Sequence, residues 1–363
     1  MRTIVWHLVD AMGAADELWG KERIISEVIR TQRADARLEP RLICFTGGGL
    51  ARACEAQNVP VVRLEPRARR FPYRSLPALL RVLRTAPGAV LHTHGYKANI
   101  VGRLARLAGA PVSRVVSTCH GWPDETRATR TYNALDRWTA ILSDATTVPD
   151  DAMLRRFPAF ARARVRRVMN AVPERSPATP ERRRAARERF GWDEGSFVVG
   201  TIGRLTPEKG VLDALEAAAQ LRSRRVVWAF AGSGPLEALL RTAGEHVCCA
   251  GYVRPSGPFL DGLDAFVQSS RSEGLSLALL EAMSAALPIV ATDVGATAAA
   301  VDDEREALLV PARDPQALAA AVARLHDDPA LRARLGRAAR ERFDPTFRIE
   351  RQAHEFERAY GLS

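Results

Sequence analysis

Lysine is scarce in this 363-residue chain: Lys21, Lys97 and Lys209 stand against 50 arginines. Cysteine is scarce too, with five residues (Cys44, Cys54, Cys119, Cys248, Cys249), no C-x-x-C spacing and no paired framework. Such a scattered, odd set excludes a disulfide scaffold and suits reduced thiols used as small apolar residues. The longest near-apolar run, 274–292, carries Glu281 in its middle and Pro288 near its end, so no transmembrane helix is legible. No secretory signal is legible either, because His7 and Asp10 interrupt the apolar run that follows Met1-Arg2. These absences predict a soluble, cytoplasmic protein, at most peripheral to the inner face of a membrane. A G-x-G-x-x-G after the first strand and a G-x-x-x-x-G-K-[ST] loop are both missing, which argues against an NAD(P) oxidoreductase and a P-loop enzyme. There is no low-complexity tract and no repeat of 20–50 residues.

What is present is ordinary in kind and unusual in charge. The length predicts two domains. Hydrophobic residues at 47% and charged residues at 26% are those of a soluble globular chain, which excludes a disordered, collagenous or coiled-coil protein. A net charge of +11 predicts an anionic partner: nucleic acid, phosphates or a lipid surface.

Short β-branched runs alternate with helical stretches. Residues 2–9, 41–45, 60–64, 89–93, 114–119 and 144–148 read as buried strands, and a second series follows at 197–202, 225–231, 246–250, 264–268, 288–291 and 307–310. This is the βαβ rhythm of parallel, doubly wound sheets, and it predicts an α/β protein of two Rossmann-like halves. The stretch 170–192, with three prolines and dense arginine, is the boundary candidate. We therefore expect domains over 1–172 and 173–344, with 345–363 a C-terminal helix packing back on the first. The tail from Pro315 to Tyr360 reads as amphipathic helix punctuated by Pro329 and Pro345.

Open α/β sheets bind ligands at the carboxyl ends of their strands. The strand 197–202 runs into GRLTPEKG (203–210) and then a helical segment. Gly203 and Gly210 allow a tight turn there, and Arg204 and Lys209 bring cations to a helix N-terminus, a good clamp for a diphosphate. The other reading of Lys209 and Glu208 is a pair of solvated loop charges. Further on, SEGLSLALLEAM (272–283) opens an almost wholly apolar helix on which Glu281 is the only charge. A buried carboxylate needs donors, and two ribose hydroxyls would supply them. Glu273 lies eight residues earlier, and the backbone of Leu275 and Ser276 would meet a phosphate oxygen. A capping acid and a surface acid are the plainer alternative.

The segments GRLTPEKG (203–210), AGSGPLEALL (231–240), EGLSLALLEAM (273–283), LPIVATDVG (287–295) and ALLVPARDPQALAAAV (307–322) together resemble the retaining glycosyltransferases of family 4, which adopt the GT-B fold. WGKE (19–22), HTHGYKAN (92–99) and STCHGW (117–122) carry the likeness into the first half. The resemblance implies two Rossmann-like domains facing across a cleft. Arg204 and Lys209 would bind the donor diphosphate, Glu281 the ribose and Glu273 the donor sugar. Gly203, Gly274, Leu275 and Ser276 would contact phosphate or sugar through their backbones. Gly20 would allow close approach to donor and acceptor, His120 would lie beside the donor sugar, and Val253 would pass the nucleobase. Trp19, His94, Tyr96 and Lys97 would face the acceptor. It also implies a retaining hexosyl- or N-acetylhexosaminyltransferase that needs no metal or other cofactor. A UDP-sugar is the default donor, a saccharide or polyprenyl-linked acceptor the default partner, and nucleic acid is not expected.

The chain departs from the family pattern at Trp19-Gly20-Lys21, where a glycine pair is common, and at Ala286 and Glu306-Ala307, where single glycines are frequent. His92, His94 and His120 cluster at strand ends, but no carboxylate or cysteine spacing supports a metal site among them. Residues 155–189 hold 12 arginines against three glutamates, and 63–74 interleaves arginine with Phe71 and Tyr73. Docking on anionic lipid and an ordinary solvated face both fit. Two functional alternatives stay open: an epimerase or hydrolase of nucleotide sugars with the same fold, and a basic binding protein without catalysis.

Overall fold

The computed structural model of the chain describes residues 2–10, 17–18, 20–64, 72–122 and 126–362. Two compact units divide it: one runs to Ala171 and resumes at Ile349, the other is Val172–Arg348. Trp19 and most of the basic stretch 63–74 lie outside the described residues.

The first unit contains the strands Thr3–Val9 (β1), Leu38–Cys44 (β2), Val61–Arg63 (β3), Val90–His94 (β4), Arg114–Thr118 (β5), Ala145–Val148 (β6) and Val165–Arg167 (β7). They form a parallel sheet in the order β3-β2-β1-β4-β5-β6-β7. The second unit contains Phe197–Ile202 (β8), Val226–Ala231 (β9), Val247–Gly251 (β10), Ala265–Gln268 (β11), Ile289–Thr292 (β12) and Leu308–Val310 (β13), in the order β10-β9-β8-β11-β12-β13. Each order reverses direction once, between β1 and β4 and between β8 and β11. Those are the points where the loops leave in opposite directions and a crevice opens.

Parallel strands are covered by helices on both faces, which is why they read as nearly continuous apolar runs. On β1, Trp6 and Leu8 enter a core with Ile43, Leu91 and Val115, while Val9 joins Ile25, Ile29 and Leu42 on the other face. The second unit is built around Trp228, Phe230, Val199 and Leu325. The strands expected from the sequence are present within a few residues. β7 was not expected, because RARVRR reads as a charge run; of that edge strand Val165 alone is buried.

Two expectations are corrected. Pro345 does not end a helix: Pro329–Thr346 continues through it, and the break comes at Phe347, whose N–H caps Phe343 O at 2.9 Å. Pro345 forfeits one N–H bond, that to Glu341 O, within the last turn, and the helix closes two residues later at the Phe347 cap. The arginine stretch 155–189 is also not one basic face. It is split between the units at Ala171. Arg187 is 1% exposed, bonded to Asp264 at 2.6 Å and to the carbonyls of Gly262, Asp193, Glu194 and Ser196. Arg183 also pairs with Asp264, and Arg175 with Asp261. Part of the positive surplus is therefore internal scaffolding.

The helix Ile349–Tyr360 belongs to the first unit and packs against the helix Lys21–Ala34. Ile349, Gln352, Ala353, Phe356, Glu357 and Tyr360 form its buried stripe, at the three- and four-residue spacing of one helix face. Arg37 binds Glu357 at 2.8 Å, and Arg114 donates to Ala359 O at 3.0 Å.

Candidate active site

In the second unit the loops after β8 and β11 meet at the reversal point. Gly210 holds φ 66°, and a Cβ there would lie 1.7 Å from Ser269 O, so the β8 loop rests directly on the end of β11. Ser269 Oγ donates to Lys209 O at 3.0 Å. Gly295 repeats the device from the other side: it holds φ 58°, and a Cβ would lie 1.7 Å from Glu273 O. Arg271 grips Asp213 through two bonds of 2.6 and 2.8 Å, which ties the β11 loop to the helix Val211–Gln220.

These contacts bring Lys209 Nζ onto Glu273 Oε2 in a part-buried ion pair, and Ser270 Oγ donates to the same oxygen at 3.0 Å. Gly203, Arg204, Lys209, Ser270, Glu273 and Ser276 line one small pocket. Arg204 is exposed and pairs with Glu208 at 2.9 Å. Ser276 caps the helix Leu277–Ser284, its Oγ accepting from Leu279 N at 3.4 Å. Gly274 has no atom within 4 Å of a Cβ position, so its outer side is open. Leu275 is buried. Glu281 projects from this helix to accept from Ser256 Oγ at 3.0 Å. Ser256 lies in the loop after β10, three residues beyond the half-buried Val253.

The first unit concentrates imidazoles where its own sheet reverses. His7 sits on β1, His92 and His94 on β4, and His120 just beyond β5. His7 Nδ1 is 3.0 Å from His94 Nε2, and His94 Nδ1 is 3.2 Å from His120 Nε2. Burial lowers all four below the ordinary histidine pKa: His7 to about 4, His120 to about 3 with Lys21 as second cause, and His92 and His94 well below 6.5. His94 is buried with both ring nitrogens engaged. Beside it Lys97 Nζ is 3.1 Å from Asp10 Oδ2, and Tyr96 stacks on Tyr132. Gly20, at φ 45° and ψ −112°, caps the helix that opens with Lys21, whose Nζ donates to Asp10 O at 2.7 Å. Burial holds the Lys21 ammonium pKa below its usual range.

The loop that presents His120 is clamped from beneath. The buried Asp136 accepts from Cys119 Sγ at 3.3 Å and from Trp122 Nε1 at 3.2 Å, on either side of His120. Its partner Arg103 is 1% exposed and 2.9 Å away. Among the described residues, His7, His92 and His94 form the one group whose ligand atoms, all within 4.8 Å of one another, could hold a metal ion. Their ring nitrogens already have hydrogen-bond partners.

Sequence reasoning did not find His7, Gln32, Asp136, Ser256 or Tyr360. His7 has the pattern of a core strand residue, and the others come from elements distant in sequence. The signal that was available is chemical and concerns His7: a histidine inside an otherwise apolar strand requires partners.

The glycosyl transferases group 1 model matches residues 196–328, and the glycosyl transferase 4-like domain model matches residues 20–173. UDP-Gal:alpha-D-GlcNAc-diphosphoundecaprenol alpha-1,3-galactosyltransferase of Escherichia coli is 27% identical over 278 residues, 71% of each chain. A GDP-mannose-dependent alpha-mannosyltransferase of Mycobacterium tuberculosis is 30% identical over 244 residues, 64% of this chain and 63% of that one. Anabaena HepE, solved in complex with UDP-glucose, superposes over 100% of both chains with a TM-score of 0.85 at 16% identity, and it shows the fold to be GT-B. With both halves matched in order, the chain belongs to the group 1 glycosyltransferases.

Proposed function

We propose that this glycosyltransferase moves a hexosyl or N-acetylhexosaminyl residue from a UDP-sugar to a lipid-linked saccharide, with retention of configuration. The observation that carries the reading is the Lys209–Glu273 pair, with Arg204 in the same pocket at the reversal point of the second sheet. A diphosphate entering this pocket replaces Glu273 as the partner of Lys209, and Glu273 is released to accept from hydroxyls of the donor sugar. Arg204 and Lys209 neutralise the leaving UDP and supply the charge that a divalent cation provides in other transferases. Glu281 takes the ribose hydroxyls, with Val253 passing the base. His120 accepts from a donor-sugar hydroxyl, and Gly20, Tyr96 and Lys97 belong to the acceptor side. The acceptor oxygen attacks the anomeric carbon on the face from which UDP departs; the carbon–phosphate-oxygen bond breaks, and the acceptor proton passes to the departing phosphate. UDP is favoured as carrier by the Escherichia coli relative and by HepE, and the mannosyltransferase makes GDP-mannose the comparison donor.

The test is turnover of UDP-galactose, UDP-glucose, UDP-N-acetylglucosamine and GDP-mannose with a diphosphoundecaprenol-linked saccharide acceptor. Lys209→Ala and Glu281→Ala are each expected to lose most transfer while circular dichroism stays unchanged. Near-wild-type turnover in either rejects the assignment. Activity is expected to survive EDTA, and rapid release of nucleotide without acceptor would favour the hydrolase.

Docking on an anionic membrane suits a set of exposed groups of the first unit. Leu107 is 64% exposed and Trp138 62%; Trp138 packs on the exposed Phe160, with Leu135 and Ile141 on the same helical segment as Trp138. Arg130, Arg155, Arg156 and Arg162 are exposed on the same and neighbouring helices. Aromatic groups amid arginines suit the interface of an acidic bilayer. Sedimentation with phosphatidylglycerol vesicles is expected to capture the chain and to fail with Trp138→Ser/Phe160→Ser; equal binding to neutral vesicles speaks against it.

A further inference from the structure

One amide and three imidazoles of the first unit stand in single file. Gln32 Oε1 is 2.8 Å from His7 Nε2, His7 Nδ1 is 3.0 Å from His94 Nε2, and His94 Nδ1 is 3.2 Å from His120 Nε2. Gln32, His7 and His94 are buried, and His120 is the half-buried end. A neutral imidazole carries one N–H and one lone pair, so the state of one member dictates the next. The Gln32 carbonyl oxygen only accepts. With that oxygen toward His7, His7 is protonated at Nε2, and its Nδ1 accepts from His94 Nε2–H. The Nδ1 of His94 in turn accepts from His120 Nε2–H, which leaves His120 Nδ1 bare.

The amide that starts the file also reaches the C-terminal helix. Gln32 Nε2 donates to Tyr360 OH at 2.9 Å, and with the amide so placed Tyr360 OH is the donor to His92 Nδ1, 2.7 Å away. In that arrangement His92 Nε2–H donates to Thr118 Oγ1, 2.7 Å away, and Thr118 to Thr147 Oγ1, also 2.7 Å away. Rotating the amide by half a turn would reverse every bond in both branches and present an N–H on His120 Nδ1. The rings stay neutral because they are buried and because the Lys21 ammonium opposes a positive charge on His94 and His120.

We propose that Gln32, His7 and His94 are positioning residues that hold His120 as the Nε2–H tautomer, so that it offers the donor sugar an acceptor and selects a hydroxyl there. The selection of a hydroxyl rests on the reading of His120 as a donor-sugar contact; the tautomer itself does not.

The test is long-range proton–nitrogen correlation on the full chain labelled with ¹⁵N-histidine, at pH 7.5, with His120 assigned through His120→Asn. His7, His94 and His120 are expected to be protonated at Nε2 and bare at Nδ1. In Gln32→Met, His120 is expected to lose its single tautomer and to show averaged shifts. Gln32→Glu, which keeps an acceptor for His7, is expected to restore Nε2–H. A proton on His120 Nδ1 in the unaltered chain, or a His120 tautomer indifferent to Gln32→Met, overturns the proposal. So does joint movement of the His7, His92 and His94 nitrogens on adding one equivalent of zinc chloride, since those rings would then be metal ligands. Undiminished turnover of UDP-glucose by His120→Asn, with the tautomers as expected, overturns the selection of a sugar hydroxyl.

Discussion

Ala286 holds φ 58°, a left-handed conformation in which a Cβ crowds its own backbone. It cannot relax, because Ala286 O is packed where a Cβ on Gly336 would lie 2.4 Å away. Removing the methyl relieves the strain, less the extra freedom that glycine gives the unfolded chain. Ala286→Gly is therefore expected to stabilise the protein by about 1 kcal/mol, read as a higher urea midpoint at unchanged slope. A lower midpoint would show that the strain is absent. Gly210 and Gly295 are the opposite case. At each, the left-handed backbone and the neighbouring carbonyl leave no room for a side chain, and the site geometry depends on that closeness.

At the scale of the elements, four adjacent strands deliver the histidine cluster and its threonine partners to one place: β1, β4, β5 and β6. Such a cluster makes the first unit sensitive to acid. The unfolded chain protonates histidine near pH 6.5, whereas folded His7 waits until about 4. Between those values the unfolded state binds more protons, so stability falls as pH falls; it is fully present above 6.5 and fully lost below 4. For His7 alone the difference amounts to about 3 kcal/mol. Urea unfolding at pH 7.5, 6.5, 5.5 and 4.5 is expected to show the decline beginning near 6.5, before the carboxylates titrate. A flat profile down to 4.5 would mean that the rings are already protonated in the fold.

At the scale of the molecule, the chain ends in the unit where it began. The helix Ile349–Tyr360 contributes Tyr360, Phe356 and Glu357 to the first unit, covering His92 and bonding Gln32. Ending the chain after Arg348 is expected to remove hydrogen-exchange protection from β1 and β4 while β8 and β11 keep theirs. Equal loss in both units would show that they unfold as one. The sequence made most of this arrangement legible, because strand runs such as FVVGTI and VVWAFA are short, apolar and bounded by turn residues. β7 escaped because its charges conceal it. The histidine file and the tyrosine that meets it escaped because the groups lie far apart in sequence, Gln32 and Tyr360 by 328 residues.

Composition and local pattern alone determined two parallel α/β sheets, the glycine-bounded loop of Arg204 and Lys209, and the acidic pair Glu273 and Glu281. These are properties of residues near one another along the chain, where spacing fixes which face a side chain takes. Only the tertiary structure decided that Lys209 closes on Glu273, that Arg187 is internal, and that Gln32, His7, His94 and His120 stand in one hydrogen-bonded file. Each of those depends on which distant groups share a space that excludes water. There every donor must find an acceptor, and one choice propagates to the next.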